Sequence, residues 1–178
     1  MDVVVPTVPH TGTMFVVHLF LEQSYNQRSL ADGREEWPDK SVFSGHLVKP
    51  ERVADAVYLC ERVPCIVPLR HPYLVAESWR LRWKEISNLL DAFYHLIEFI
   101  DPFDPIYLPM DVPGRDDYFH EMNRRLGMEL PMKWNVVNSK HNTFDLTWKD
   151  VKPSETTMML AMALRPFLER FYGKNPVF

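Results

Sequence analysis

The 178-residue chain has little cysteine and no long apolar run. Cys60 and Cys65 are too few for a disulfide framework or a four-ligand zinc site, and we expect both to be reduced thiols in or near a core. No apolar stretch approaches the ~20 residues that span a bilayer. Val3-Val4-Val5 follows the N-terminus without a basic segment or a cleavage site. We therefore expect no signal peptide, no membrane partner and a cytoplasmic location.

An excess of positive charge is also missing. The net charge is −4, which gives no support for a broad basic surface, and we expect no nucleic-acid partner. The hydrophobic fraction of 46% and the charged fraction of 25% are typical of a soluble globular protein with an ordinary core. We expect a single domain over residues 1–178, in which any anion site is built locally from backbone amides and a few cations.

Strand-like and helix-like segments alternate along the chain. Apolar or β-branched runs predict strands at 2–8, 41–43, 65–69 and 106–108. Helical spacing predicts helices over 14–21, from residue 50, over 75–100, over 116–126 and from residue 154, the last with a kink at Pro166. The polar segment 22–40 is expected to be an exposed loop. This order predicts an α/β fold with three layers, α/β/α, around a central parallel sheet of about four to five strands.

The first predicted strand leads into Pro9-His10-Thr11-Gly12-Thr13 and then into a helix. Such a turn directs unpaired amides outward, and the helix dipole adds positive potential at the same point. Gly12 lets the backbone approach an anion closely, and Thr11 and Thr13 carry hydroxyl donors. Ordinary turn chemistry explains the same residues equally well. The triphosphatase loop G-x-x-x-x-G-K-[ST] is missing.

Two further segments contain residues suited to a phosphate site and to proton transfer. Arg70 leaves the third strand and Ser78 lies in the next helix, so a guanidinium and a hydroxyl can converge on one phosphate. The alternative is an arginine paired with a carboxylate and an ordinary helix serine. His46 follows the second strand, where an imidazole titrating near neutral pH suits a general base, although a solvated histidine fits as well.

Taken together, these three segments resemble the sulfotransferase family. Residues 9–15 resemble its 5′-phosphosulfate loop, P-K-[ST]-G-T-[TS]-[WF], and residues 70–78 resemble its 3′-phosphate segment, R-[ND]-P-x-x-x-x-x-S. Residues 44–50 resemble K-[TS]-H-L-P, which carries the general base. The resemblance implies a P-loop NTPase-like sulfotransferase fold and no metal. It also implies 3′-phosphoadenosine 5′-phosphosulfate (PAPS) as donor, 3′-phosphoadenosine 5′-phosphate (PAP) as product, and a small-molecule or glycan acceptor.

The resemblance also assigns roles to individual residues. His46 would be the catalytic base, and His10 would follow charge onto the leaving oxygen. Phe15 would pack near the adenine. Asp111, by its residue type, is expected to be a helix or turn cap. Residues 138–141 match a cofactor-covering loop weakly and read more simply as a solvated loop. The implied nucleotide contacts are His10, Thr11, Gly12, Thr13, Met14, Phe15, Arg70 and Ser78.

Two departures from the family pattern leave alternatives open. His10 and Ser44 stand where the family has lysines. The first hypothesis is an enzyme that transfers a sulfuryl group to a hydroxyl or amine, with a protonated His10 replacing the lysine. The second is a nucleotide-binding relative with weak or no transfer. A small kinase-like phosphotransferase is a third, and the missing P-loop lysine and metal-binding aspartates argue against it.

Overall fold

A computed structural model of the chain describes residues 1–37, 39–82, 87–134 and 147–177, and the side chains of 79–82 and 87 lie outside this description. Five strands occur in this part of the chain. They are β1 (Val3–Thr7), β2 (Asn26–Ser29), β3 (Ser41–His46), β4 (Ile66–Leu69) and β5 (Ile106–Pro109). Every strand pairing among them is parallel, so the predicted parallel α/β architecture is confirmed.

The strands form two sheets, with the order β1-β3-β2 in one and β4-β5 in the other. A bridge between Val4 and Cys65, with a 2.9 Å hydrogen bond from the Val4 amide to the Pro64 carbonyl, brings β1 beside β4. The prediction of one sheet of four to five strands is thereby corrected to three strands plus two. Pro6 lies two residues after Val4, so its backbone nitrogen lies on the same hydrogen-bonding edge of β1, the edge that faces β4. Proline has no N–H, so Pro6 cannot continue the pairing that Val4 begins. Pro68 likewise lacks a donor within β4.

Seven α-helices lie within the described ranges. They are α1 (Thr13–Leu21), α2 (Pro50–Cys60), α3 (Pro72–Arg82), α4 (Ser87–His95), α5 (Arg115–Leu126), α6 (Glu155–Ala163) and α7 (Arg165–Tyr172). The helix predicted over 75–100 is found as α3 and α4, followed by one π-helical turn at Leu96–Ile100, while residues 83–86 lie outside the description. Pro166 lies in the first turn of α7 and separates it from α6, as expected. None of the described helices is long and apolar enough to cross a membrane.

Alternating residues of the strands face two apolar clusters, one on each side of the sheets. Val3 and Val5 face a cluster with residues of α1 and α5, and Val4 faces a cluster with residues of α2, α3, α4, α6 and α7. All three valines are fully buried. This two-sided burial explains why β1 reads as a continuous apolar run, and it gives the predicted three layers.

The prediction of an exposed loop over 22–40 is wrong. This segment contains β2 and a 3-10 helix at Leu30–Arg34, and Leu30 is fully buried. β2 has the sequence NQRS and pairs only with β3 among the described strands, so as a solvated edge strand it lacks the apolar alternation that identifies strands. Gly45 lies within β3. A Cβ at this position would lie 2.9 Å from the Leu30 side chain, which explains why the residue is glycine.

Candidate functional site

The carboxyl ends of the parallel strands form one edge of the molecule. β1 leads into the Gly12 turn, β3 ends at His46, and β4 is followed directly by Arg70. β5 is followed by Met110 and Asp111 at the same edge. Ligands of open parallel sheets bind at this edge, and the structure brings all three predicted segments to it.

The turn after β1 directs backbone amides outward at the start of α1. Gly12 has φ of +114°, which strains any residue with a side chain, and a Cβ there would lie 3.3 Å from the Met110 side chain. The first helical amide bonded back to this turn is that of Val16, which donates to the Gly12 carbonyl at 3.2 Å. The amides of Thr13, Met14 and Phe15 form the first turn, where the helix macrodipole favours an anion.

The threonine hydroxyls of this turn are used inside the protein, contrary to the expectation that they face a ligand. Thr11 is fully buried and its hydroxyl donates to the Val8 carbonyl at 2.7 Å. The Thr13 hydroxyl donates to the Thr7 hydroxyl at 2.9 Å. The donors that the turn leaves for an anion are therefore backbone amides.

Met14 and Phe15 have opposite environments. The Met14 side chain is 43% exposed beside the turn. Phe15 is 1% exposed and its ring stacks on Trp134, with centroids 5.0 Å apart. Because this ring is buried against Trp134, it is not available to a ligand at the surface of the turn, and the predicted packing of Phe15 near the adenine is not supported.

His10 joins the turn to the Arg70 segment. Its backbone has φ of +64°, in the left-handed region that is uncommon for residues other than glycine. Its Nδ1 lies 3.0 Å from the Ser78 hydroxyl, and its carbonyl accepts a hydrogen bond from Nη1 of Arg70 at 3.4 Å. The two segments predicted for the 5′- and 3′-phosphates are thus in direct contact.

Arg70 and Ser78 are buried, at 4% and 5% exposure. Burial lowers the pKa of Arg70, while the nearby Asp111 carboxyl and Tyr172 hydroxyl act in the opposite direction. The Ser78 hydroxyl can donate its single proton to a phosphate only when it does not donate that proton to Nδ1 of His10.

Asp111 connects Arg70's segment to α7 through buried hydrogen bonds whose partners the sequence did not reveal. Its carboxylate accepts hydrogen bonds from the His71 amide at 3.0 Å and the Tyr172 hydroxyl at 2.7 Å. Burial raises its pKa, against the effect of these bonds and of the charge on Arg70. Asp111 was predicted to be a helix or turn cap, and it satisfies a backbone donor just before α3 together with the Tyr172 hydroxyl.

His71, beside Arg70, ties the site to the end of the described chain. It is fully buried, stacks on Trp148 with centroids 4.7 Å apart, and has its Nε2 against the Pro176 carbonyl. Its Nδ1 accepts from the Tyr73 amide, so Nε2 carries the proton. Burial lowers the pKa of His71 to about 4, and the residue is neutral at neutral pH. The sequence contained one indication that this position is unusual: His71 stands where the family's 3′-phosphate segment has Asn or Asp.

His46 is connected to the turn through Thr7. Its Nδ1 lies 2.9 Å from the Thr7 hydroxyl, which donates to the Gly45 carbonyl and accepts from Thr13. In the tautomer with the proton on Nδ1, this nitrogen donates to the Thr7 hydroxyl, which gives its own proton to the Gly45 carbonyl. Nε2 then carries the lone pair that a base needs. Burial of part of the ring lowers the pKa of His46, although the residue as a whole remains exposed.

The described residues contain no group of three or more His, Cys, Asp or Glu side chains arranged to hold a metal ion. Ser44, at the second departure from the family pattern, is half-buried and its hydroxyl accepts from Gln27 at 3.4 Å. The loop predicted at 138–141 lies outside the described residues.

No protein-family model and no curated protein matches the chain. Among solved structures, the chain is similar to the crystal structure of mouse sulfotransferase SULT7A1 complexed with PAP. The TM-score is 0.61 and the sequence identity 13%, and the similarity covers 95% of this chain and 84% of the mouse chain. At this identity the likeness shows a sulfotransferase-like fold.

Proposed function

We propose that this chain binds PAPS at the carboxyl edge of its strands and transfers the sulfuryl group to a hydroxyl or amine acceptor. The observation that carries the proposal is the contact of His10 with both Arg70 and Ser78, at 3.4 and 3.0 Å, next to the Gly12 turn. A nucleotide with phosphates at its 5′ and 3′ positions needs two anion sites of this kind side by side. The likeness to a sulfotransferase bound to PAP supports the same ligand class.

In the proposed complex, the amides of Thr13, Met14 and Phe15 hold the 5′-phosphosulfate at the start of α1. Arg70 and Ser78 hold the 3′-phosphate after the His10 ring has turned away. Arg70 suits this role because its planar guanidinium can donate two hydrogen bonds to one phosphate.

Transfer then needs a base and stabilisation of the leaving group. His46 Nε2 takes the proton from the acceptor, and the acceptor oxygen or nitrogen forms a bond to sulfur. The bond between sulfur and the 5′-phosphate oxygen breaks, and PAP leaves with the bonding electrons. The amides at the start of α1 and a protonated His10 stabilise the negative charge on that oxygen.

Calorimetry with PAP, with adenosine 5′-phosphate as the comparison ligand, tests the nucleotide site. PAP should bind more tightly, and Arg70→Ala should weaken PAP binding by about 1.5–3 kcal/mol, the scale of a charged hydrogen bond. Arg124→Ala is the matched control, because the Arg124 side chain is 73% exposed on α5 and pairs with Glu121. Equal affinity for the two nucleotides would contradict the proposed 3′-phosphate site.

The second candidate is a nucleotide-binding protein without efficient transfer. It is favoured by His10, which occupies the Ser78 hydroxyl, and by Ser44 in place of a family lysine. Radiolabelled PAPS incubated with a panel of phenols, alcohols and amines distinguishes the two. Labelled product supports the enzyme, whereas PAP binding without product, restored to transfer by His10→Lys, supports the second candidate.

A further inference from the structure

Cys60 and Cys65 form a pair at the edge of the molecule opposite the candidate site. Cys60 is the last residue of α2, and Cys65 comes immediately before β4. The Cys60 thiol donates a hydrogen bond to the Cys65 sulfur, with the two Sγ atoms 3.1 Å apart. A disulfide bond is ~2.05 Å long, so the sulfurs need to approach by about 1 Å.

The backbone fixes this proximity. The Cys65 carbonyl accepts from the Ile106 amide at 2.8 Å, and Cys65 also bridges to Val4, so it is held between β1 and β5. The Val63 amide donates to the Leu59 carbonyl at 2.9 Å, which closes the turn between the two cysteines. The thiols therefore face each other because of the fold.

The two cysteines differ in access to solvent. Cys65 is 6% exposed, and Cys60 is half-buried. Both line a cavity of about 300 Å³ that also includes Arg125 and Phe103. The cavity is large enough for a small oxidant, and it presents Cys60 as the more accessible sulfur. Burial, followed by the interaction with the neighbouring Cys60 thiol, raises the pKa of the Cys65 thiol.

We propose that Cys60 and Cys65 are a dithiol that a small hydroperoxide oxidises to an intramolecular disulfide. This inference does not depend on the proposed transferase activity. An accessible thiol next to a second cysteine is the arrangement that converts peroxide oxidation into a reversible disulfide instead of an irreversible acid.

The reaction balances with one hydroperoxide per cysteine pair. With hydrogen peroxide, Cys60 gives up its proton, its thiolate attacks the peroxide, an S–O bond forms, and the O–O bond breaks to release hydroxide, which takes up that proton as water. The Cys65 sulfur then attacks the Cys60 sulfenic acid, and the displaced hydroxyl leaves as water with the Cys65 proton. In total, the two thiols lose two electrons and two protons, and hydrogen peroxide is reduced to two molecules of water.

Peptide mapping of the folded wild-type protein tests the proposal directly. After treatment with hydrogen peroxide, free thiols are blocked with N-ethylmaleimide and the chain is digested with trypsin, which cleaves at Arg52, Arg62 and Arg70. Because Arg62 lies between the cysteines, the disulfide links two separate peptides, 53–62 and 63–70. We expect this linked pair as the main product, and its separation by a reductant.

The order of attack is tested by trapping the sulfenic acid with dimedone. In Cys65→Ala the trap should label Cys60, and in Cys60→Ala it should leave Cys65 unlabelled over the same time. If Cys65→Ala does not fold, early time points of the wild-type protein serve instead, with label expected only on peptide 53–62.

Three results would overturn the proposal. The first is that both thiols still react with N-ethylmaleimide after a dose of hydrogen peroxide that oxidises glutathione present at the same concentration as the protein. Another is sulfinic acid on either cysteine with no linked peptides. The third is a linked pair that forms equally fast in urea-unfolded protein, which would show that the fold does not promote the reaction.

Discussion

The two halves of the candidate site differ in exposure and in the way that they are held. The phosphate half, His10, Arg70 and Ser78, has its guanidinium and its serine hydroxyl buried, with the Asp111 carboxylate nearby. The base half consists of the exposed His46, held through Thr7 by a single hydrogen bond to its ring.

This difference matches what each half is proposed to do. A buried guanidinium gains strength as an anion ligand because water does not screen it, but it requires a compensating carboxylate. A base must meet an acceptor from solvent, so it has to keep one ring nitrogen accessible. Changes in the phosphate half should therefore alter stability and nucleotide affinity together, whereas changes in the base half should alter turnover alone.

The largest expected effect lies in the base half. His46→Ala should reduce transfer by about 10²–10⁴-fold, the contribution of a positioned general base, and leave PAP affinity unchanged. Transfer rates and calorimetry on the same preparation check this separation. Unchanged turnover, or a matching loss of PAP affinity, would contradict the role of His46.

The same residue should leave a signature in the pH dependence of transfer. His46 acts as a base only when neutral, so the rate falls as the pH drops through its pKa. Because burial lowers that pKa, we expect the acid limb of kcat/KM below the ordinary histidine value of about 6.5. His46→Ala should lack this limb.

In the phosphate half, Asp111→Ala should lower the free energy of unfolding by about 3 kcal/mol. The change leaves the His71 amide and the Tyr172 hydroxyl without their buried acceptor and removes the carboxylate near Arg70. Urea unfolding measures the loss. Asp91→Ala is the control, because Asp91 is an exposed residue within α4. A loss no larger than that of the control would show that Asp111 does not support the buried half.

The smallest effect is expected at Thr7, which joins the two halves. Thr7→Val keeps the shape but removes the hydroxyl that orients His46 and receives the Thr13 proton. One hydrogen bond of about 1 kcal/mol predicts a ~5-fold lower turnover with PAP affinity retained. Thr7→Ser should restore the rate. A rate for Thr7→Val equal to that of the wild type would remove Thr7 as a positioning residue.

The two halves were also unequally predictable from the sequence. The turn after β1, Arg70 and His46 were selected by their order along the chain together with the resemblance of their segments to family motifs, and the structure places all three at the carboxyl edge of the strands. The partners of Asp111 and the role of Thr7 were missed because both depend on residues distant in the chain, such as Tyr172 and His46. Local patterns contain no information on such contacts.

The fold shows the same limit. The apolar runs of β1, β3, β4 and β5 were predicted because burial on two faces leaves a clear pattern. β2 was missed because its residues are partly or fully exposed, and the separation into two sheets depends on prolines whose missing donors face a neighbouring strand. Strand order depends on which segments pair in the tertiary structure, so it cannot be predicted from any single segment.

A crystal structure of the protein soaked with PAP tests the central claim most directly. We predict that the 3′-phosphate lies within hydrogen-bonding distance of both Arg70 and Ser78, with the His10 ring turned away from Ser78 and the 5′-phosphate at the amides of α1. A nucleotide bound elsewhere, with the 3.0 Å contact between His10 and Ser78 unchanged, would contradict the account.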